Sequence, residues 1–273
     1  MVSTSRPVGE LLRMWRRRRR LSQLEMALEA EVSARHLSFL ETGRSLPSRQ
    51  MLLHLAEQLA IPLRERNTLL VAAGYAPVYP ATPLHDPALD AAREAVELVL
   101  GGHEPYPALA VDRAWNLVAA NRSTGFLLSE VAPALLQPPV NVLRVSLHPE
   151  GLAPRIVNLG EWRRHLLARL QQQIEASADP ELEAIYQELR GYPAPQPEMG
   201  SPARNDDQPH PALVVPVRLR AGSEVLSLFS TTTVFGTAVD ITLAELTIES
   251  FFPADTATAE ALRRLAHQES PGS

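Results

Sequence analysis

The chain has 273 residues, 45% of them hydrophobic, with no cysteine and a formal net charge of −5. That length suits two domains of ordinary size, and the lack of cysteine excludes disulfides and thiolate metal sites and fits a cytoplasmic chain. All 26 basic residues are arginine, which excludes a phosphate-loop, kinase or Schiff-base lysine; no run of about 18 apolar residues and no signal-type apolar region occurs, so neither a membrane span nor secretion is expected.

Charge is divided along the chain. Through Gly74 there are 12 Arg against 7 Asp/Glu, and the remainder carries 14 Arg against 24 acids. A basic head on an acidic body places any phosphate partner at the head.

Helical periodicity runs from Val8 to Ala73. The first helix is expected over roughly Val8–Arg19, with Leu11, Leu12 and Trp15 on one face. Its end, Arg16 to Arg20, suits either phosphate contact or a plain basic helix terminus. Ser22 caps a second helix, and Glu25 three residues on completes a capping box. Ser33 caps a third, which runs to Glu41, and Gly43 provides a left-handed stop. Pro47-Ser48 opens a fourth, with Leu52, Leu55, Ala56 and Leu59 inward. Pro62 separates it from a fifth over Leu63–Ala73. Four prolines between Gly74 and Pro87 then make a semi-rigid spacer. The expected division is therefore a helical domain over 1–74, a linker over 75–89 and a second domain over 90–273.

In the second domain a helix is expected over Asp90–Leu100. Tyr106–Asp112 and Trp115–Ala120 read as a β-hairpin turning on Asp112-Arg113-Ala114. Helices are expected near Asn121–Leu136, Gly160–Ser177 and Pro180–Arg190. Gly191–Pro211, with six prolines, reads as a mobile loop. Leu213–Arg220, Glu224–Phe235 and Ala244–Phe251 read as strands, and Thr258–His267 as a closing helix. The fold class is multi-domain: an all-α five-helix helix-turn-helix domain, then an α+β domain with a largely antiparallel sheet.

The segment from Leu21 to Ser48 carries the functional reading. Ala27 is small where two helices cross, and Val32 and Leu37 fill the gap between the second and third helices. Two helices joined by a short turn present the second one's N-terminal end to the major groove. Gln23, beside the capping Ser22, lies where backbone N–H groups and an amide can hold a phosphate. Arg35, on the exposed first turn of the third helix after Ser33, suits bidentate reading of guanine. Ala34, His36, Ser38 and Phe39 are the other candidate base readers, with Ala34 or Phe39 placed to meet a thymine methyl. Thr42 and Arg44 sit where the following loop would meet the DNA backbone.

The string Leu-Ser-Gln…Glu-x-Ala…Val-Ser…Leu…Glu-x-Gly-Arg-x-x-Pro-Ser resembles the XRE/Cro-type helix-turn-helix family. That resemblance implies double-stranded DNA as partner. Members usually have glycine in the turn where Glu31 stands, and a non-glycine residue at positive φ there costs roughly 1 kcal/mol.

Residues 103–121 read as strand, turn, strand and an asparagine-led helix. This layout resembles the opening of a PAS domain, a sheet-based small-molecule sensor, with 228–255 supplying the later strands. The strings Ala-Arg-His-Leu-Ser-Phe-Leu-Glu-Thr-Gly-Arg (34–44), Ala-Ala-Gly-Tyr-Ala-Pro (72–77), Asn-Val-Leu-Arg…His-Pro-Glu-Gly-Leu (141–152) and Glu-Ser-Phe-Phe-Pro-Ala-Asp make the whole chain similar to the MmyB-like regulators. The resemblance implies a PAS-like ligand-binding domain and an apolar, fatty-acid-like ligand. On that expectation the body encloses an apolar cavity between sheet and helices. Its candidate wall residues are Leu109, Val111, Leu117, Phe126, Leu127, Leu143, Leu166, Leu170, Phe229 and Phe235. Arg144, His148 and Arg155 are candidate handles for a carboxylate.

Other chemistry is missing from the sequence. None of the eight histidines forms an HExxH motif, so no metal is expected. Asp206-Asp207 reads as solvated, and no Gly-x-Ser-x-Gly or Gly-x-Gly-x-x-Gly occurs. No catalytic residue and no cofactor is expected, apart from a bound fatty acid or other apolar molecule. The expected function is a sequence-specific DNA-binding transcription regulator that senses a small apolar ligand and binds a palindromic operator as a homodimer, since one short helix reads few base pairs. The alternatives are an enzyme acting on a small apolar molecule with an attached DNA-binding head, and a module whose third helix meets a protein instead of DNA.

Overall fold

The computed structural model describes residues 6–193 and 215–268. The expected loop over 191–211 falls mostly outside these residues, as do Asp206, Asp207, His210 and the start of the strand expected from Leu213. The chain divides into two compact units. The first runs through Pro83 and takes in the short stretches 175–178 and 236–244; the second holds the rest.

In the first unit the expected helices form as α1 (Val8–Arg18), α2 (Gln23–Glu29), α3 (Ala34–Glu41), α4 (Arg49–Gln58) and α5 (Leu63–Ala72). Local chemistry sets their starts. Ser22 accepts from Glu25 N while its own N–H donates to the Glu25 carboxylate, a reciprocal cap. Ser33 and Ser48 cap α3 and α4 through single bonds to the third residue on. Their ends are equally regular. Arg20, Glu31, Gly43, Ala60 and Gly74 all adopt positive φ, and the following N–H bonds back five residues at 2.8–3.1 Å each time, as in Val32 to Ala27. Each helix thus closes in the same left-handed stop. Glycine fills two of the five, and Glu31 sits at φ 53°, as the turn requires.

The helices enclose Leu12, Trp15, Met26, Leu37, Leu40, Leu52, Leu55, Leu69 and Leu70, each at most 1% exposed. Gly9 lets α1 cross the end of α3 at backbone contact: a Cβ there would lie 2.3 Å from the Leu40 carbonyl oxygen.

The second unit begins with α6 (Asp90–Gly102), followed by β1 (Ala108–Val111), β2 (Leu117–Ala120), α7 (Gly125–Leu128), α8 (Val142–Leu147), α9 (Leu159–Ser177), α10 (Pro180–Gly191), β3 (Val217–Ala221) and β4 (Glu224–Val234). α11 (Ile241–Ala244), which counts with the first unit, precedes β5 (Thr247–Pro253) and α12 (Thr256–Gln268). The strands form one antiparallel sheet in the order β2-β1-β5-β4-β3. The early hairpin and the late strands therefore meet at the β1–β5 pair. Strand alternation splits the sheet into two faces. Ala108, Ala110 and Ile248 pack with Val96 and Leu100 of α6, while Leu109, Val111, Leu219 and Leu228 join the larger core with α8, α9 and α10.

Two expectations change. The helix expected over 121–136 is instead a 3-10 turn at Arg122–Thr124, the short α7 and a second turn at Pro133–Leu136. Buried Asn121 does not cap a helix; its carbonyl oxygen accepts from Ala108 N, and its amide donates to the Leu100 and Tyr106 carbonyls. Pro133, lacking an N–H, cannot continue a helix from the preceding turn. The second change is α8, which was not expected. Asn141 caps it through Arg144 N and holds the Ala114 carbonyl with its amide. The chain then folds back so tightly that a Cβ on Gly151 would lie 2.2 Å from the Val145 carbonyl oxygen.

Glu31→Gly and Ala60→Gly are each expected to stabilise the chain by about 0.5–1 kcal/mol, because glycine carries no Cβ penalty at positive φ. Gly9→Ala is expected to destabilise it by about 1–3 kcal/mol through overpacking. Calorimetric melting of the variants checks both signs.

Candidate nucleic-acid interface and ligand cavity

A buried ion pair organises the helix-turn-helix. Arg16 Nε and Nη2 donate to the two Glu41 carboxylate oxygens at 2.6 and 2.8 Å, and Nη1 donates to the Leu21 carbonyl at 2.7 Å. The side chains are 9% and 1% exposed. Arg16 therefore fixes the end of α1 against α3 and does not face phosphate. Burial pushes the Glu41 carboxyl up, but the hydrogen bonds from Arg16 and Gln23 and the Arg16 charge outweigh it and hold it below its ordinary range. Arg19 is also occupied, donating to the Leu59 and Ala60 carbonyls at 2.8 Å.

The pair was legible in part. Arg16 follows Leu12 by four positions, and Glu41 follows Leu37 by four, so both lie on buried stripes.

The sequence-predicted DNA contacts fall on α2, on α3 and on the loop after α3. Ser22 and Ser33 are spent on caps, accepting from Glu25 N and His36 N at 3.1 Å. Gln23 Nε2 donates to Glu41 Oε2 at 2.8 Å, which orients the amide at the start of α2. Thr42 Oγ1 donates to the Ser38 carbonyl at 2.7 Å. Ala34, His36, Ser38 and Phe39 are half-buried, while Arg35 and Arg44 are exposed. The guanidinium carbons of Arg35 and Arg44 lie 5.4 and 5.7 Å from the Phe39 ring centre. Phe39 thus steadies both cations by cation–π attraction, at the cost of little desolvation.

In the second unit a cavity of about 100 Å³ lies inside the larger core. The sheet contributes Leu109, Leu117, Val217, Leu219, Leu228 and Phe251; the helical side contributes Leu127, Leu143, Ile156, Trp162 and Leu166. Five of the expected wall residues therefore line it: Leu109, Leu117, Leu127, Leu143 and Leu166. Val111 and Leu170 are plain core, and Phe126 packs on that core without reaching the cavity. Phe229 stacks on Phe252 at 5.5 Å because strand alternation turns it away, and Phe235, just past the end of β4, packs with the α6 cluster.

The three expected handles are engaged elsewhere. Arg144 pairs with Glu188 at 2.8 Å. His148 accepts from Glu150 N at 3.1 Å and meets Tyr192 edge-on. Arg155 donates to the Leu127 and Arg220 carbonyls at 3.2 Å.

The charged residues that do line the cavity are Arg169 and Glu249, which sequence reasoning missed. The signal was present: Arg169 continues the Trp162–Leu166 stripe of α9, and Glu249 alternates with Phe251 on β5. Arg169 also lies 4.7 Å from the ring centre of Trp115. Trp115 holds φ at 65° in a wall position, kept there by an Asp112 carboxylate that accepts from Ala114 N and Asn116 N. A bulky residue in that conformation is strained, and such strain persists only where surroundings impose it. His165 stacks on Trp162; burial, then the Arg169 charge, holds its imidazole below the usual histidine range. Among the described residues no group of His, Asp or Glu is placed to hold a metal, and no helix is long and apolar enough to cross a membrane.

Comparison with known families agrees with this geometry. The family model described as the MmyB-like transcription regulator ligand binding domain matches residues 92–265, and a helix-turn-helix domain model matches residues 7–69. No curated protein matches the chain.

Replacing Arg16 with methionine strands a buried carboxylate and is expected to destabilise the first unit by about 3–5 kcal/mol. Glu41 is held below its unfolded value, so its contribution is complete above about pH 4.5 and is lost as pH falls through the lower folded value. Melting temperatures of the wild type and of Glu41→Gln between pH 7 and pH 3 check this: their difference is expected to narrow only at the acid end.

Proposed function

Since the chain belongs to the MmyB-like transcription regulators, we propose that it binds a palindromic operator as a homodimer through α3, and that its cavity takes a small apolar ligand. A helix-turn-helix domain followed by this ligand-binding domain makes it a ligand-responsive DNA-binding transcription regulator. The observation that carries the finer reading is the cavity itself. Its walls are leucine, valine, isoleucine, phenylalanine and tryptophan on nearly every side, and it lies within the span matched as ligand-binding. Such walls suit an alkyl chain of the fatty-acid kind, which gains free energy by leaving water. A PAS-like classification is supported by one sheet assembled from the 103–121 hairpin and the later strands. We read the body as a sensor and not an enzyme, acting in the cytoplasm beside its DNA. The charged groups of the cavity are bound to each other and present no separate acid and base.

On the DNA side Arg35 is the base reader. It is exposed on the first turn of α3 and steadied by Phe39, an arrangement that favours a bidentate contact to guanine beside a thymine methyl. The backs of α2 and α3 are held by the Arg16–Glu41 pair, so the reading surface is presented rigidly. Dimerisation follows from specificity, because one recognition helix covers too few base pairs.

Native mass spectrometry of gently purified protein tests the sensor: a co-purifying apolar molecule is expected, and its loss in a cavity-filling Leu166→Trp variant. An empty wild-type chain that also binds no added alkyl compound overturns the reading. On an operator selected from random sequence, Arg35→Ala is expected to cost about 1–3 kcal/mol and to relax preference at one base pair. Gel retardation across a salt series measures this, with affinity falling steeply as salt rises. Unchanged affinity and base preference remove Arg35 from the readout.

A further inference from the structure

Two helical turns along α9 from Trp162, about 10 Å at 1.5 Å per residue, the apolar wall gives way to Arg169. Arg169 Nη1 donates to Glu249 Oε2 at 3.0 Å, and Nη2 donates to Glu249 Oε1 and to Thr232 Oγ1, the latter at 2.8 Å. Thr232 Oγ1 donates in turn to Glu249 Oε1 at 3.0 Å. The Glu249 side chain is 4% exposed and that of Arg169 is 24% exposed. Ser230, two residues before Thr232 on the same face of β4, brings a hydroxyl to the same wall.

The cavity therefore ends in a polar group that carries no net charge. Glu249 and Thr232 take three of the five Arg169 N–H groups, so an ionised carboxylate arriving there either lies beside the buried Glu249 carboxylate or strips it of its counter-charge, and both courses oppose binding. An uncharged head group meets no such penalty. With the pair intact, a hydroxyl or amide N–H can donate to a Glu249 oxygen, whose lone pairs exceed the donors it already has.

We propose that the cavity selects an alkyl chain with an uncharged hydrogen-bonding head, an alcohol or a primary amide, and rejects the ionised acid of the same chain, with Glu249 as the specificity-determining residue. This rests on the cavity being the ligand site. Removing the Glu249 charge frees Arg169 to receive an anion, so the preference inverts.

The test uses the full chain at pH 7.5 with 1-octanol, octanamide and octanoate, read by the fluorescence of Trp115 and Trp162 and confirmed by calorimetry. In the wild type, octanol and octanamide are expected to bind at least tenfold more tightly than octanoate. In Glu249→Gln, octanoate is expected to gain at least tenfold and to overtake octanol. Melting of the variant confirms that it folds, and the wild-type comparison stands without it. Octanoate binding the wild type as tightly as the alcohol overturns the proposal and leaves the ligand site in place, as does a folded Gln variant that keeps the original preference. If none of the three compounds binds, both the proposal and the reading of the cavity as a ligand site fall.

Discussion

A guanidinium leaves water only when a carboxylate and further acceptors replace its hydration, and each unit of this chain is arranged around one such exchange. In the first unit Arg16 spans from the end of α1 to Glu41 at the end of α3, and Gln23 of α2 bonds the same carboxylate. Three helices thereby share one acceptor, which fixes the angle at which α3 presents Arg35. In the second unit Arg169 of α9 reaches Glu249 of β5. That bond ties the helical side of the cavity to the sheet and sets its polar end. The two pairs differ in consequence. The first is buried and supports a surface; the second borders a cavity.

Close backbone approach is the complementary constraint. Gly9 lets α1 rest on the last carbonyls of α3, and Gly151 lets the chain after α8 return onto Val145. The first of these contacts bears on the Arg16–Glu41 pair directly, since Gly9 lies against the Leu40 and Glu41 backbone and a bidentate bond tolerates little displacement. Strain is admitted at a few places. Glu31 closes α2 at positive φ where glycine would be easier, and Trp115 is held at positive φ in the cavity wall beneath Arg169. The first belongs to the turn that sets α3 after α2. The second aims a large aromatic face at a cation, so a conformation costly in itself is part of how the polar end is built.

The placement of α3 depends on the buried Arg16–Glu41 pair and on the close approach at Gly9. Phe39 stands near both Arg35 and Arg44, so cation–π attraction partly orders two exposed cations. Capping uses the serine hydroxyls at the starts of α2, α3 and α4. Ser22 and Ser33 thus serve the fold first, and any phosphate they meet finds them already oriented.

The sequence by itself determined the five helices of the first unit, with the serine caps of α2, α3 and α4 and the left-handed stop at Gly43, because a capping box, a left-handed turn and apolar stripes act within a few residues of one another. It also indicated the β1–β2 hairpin and five of the cavity's wall residues, through alternation and helical spacing. It misread 121–136, where Asn121 spends its side chain on strand and helix carbonyls instead of a cap. It looked for the charged handle in Arg144, His148 and Arg155, none of which lines the cavity. Only the tertiary structure decided that Arg169 and Glu249 meet, or that Phe229 and Phe235 lie away from the cavity. Such pairings join residues far apart in the chain, and strand register, which no local pattern encodes, selects them.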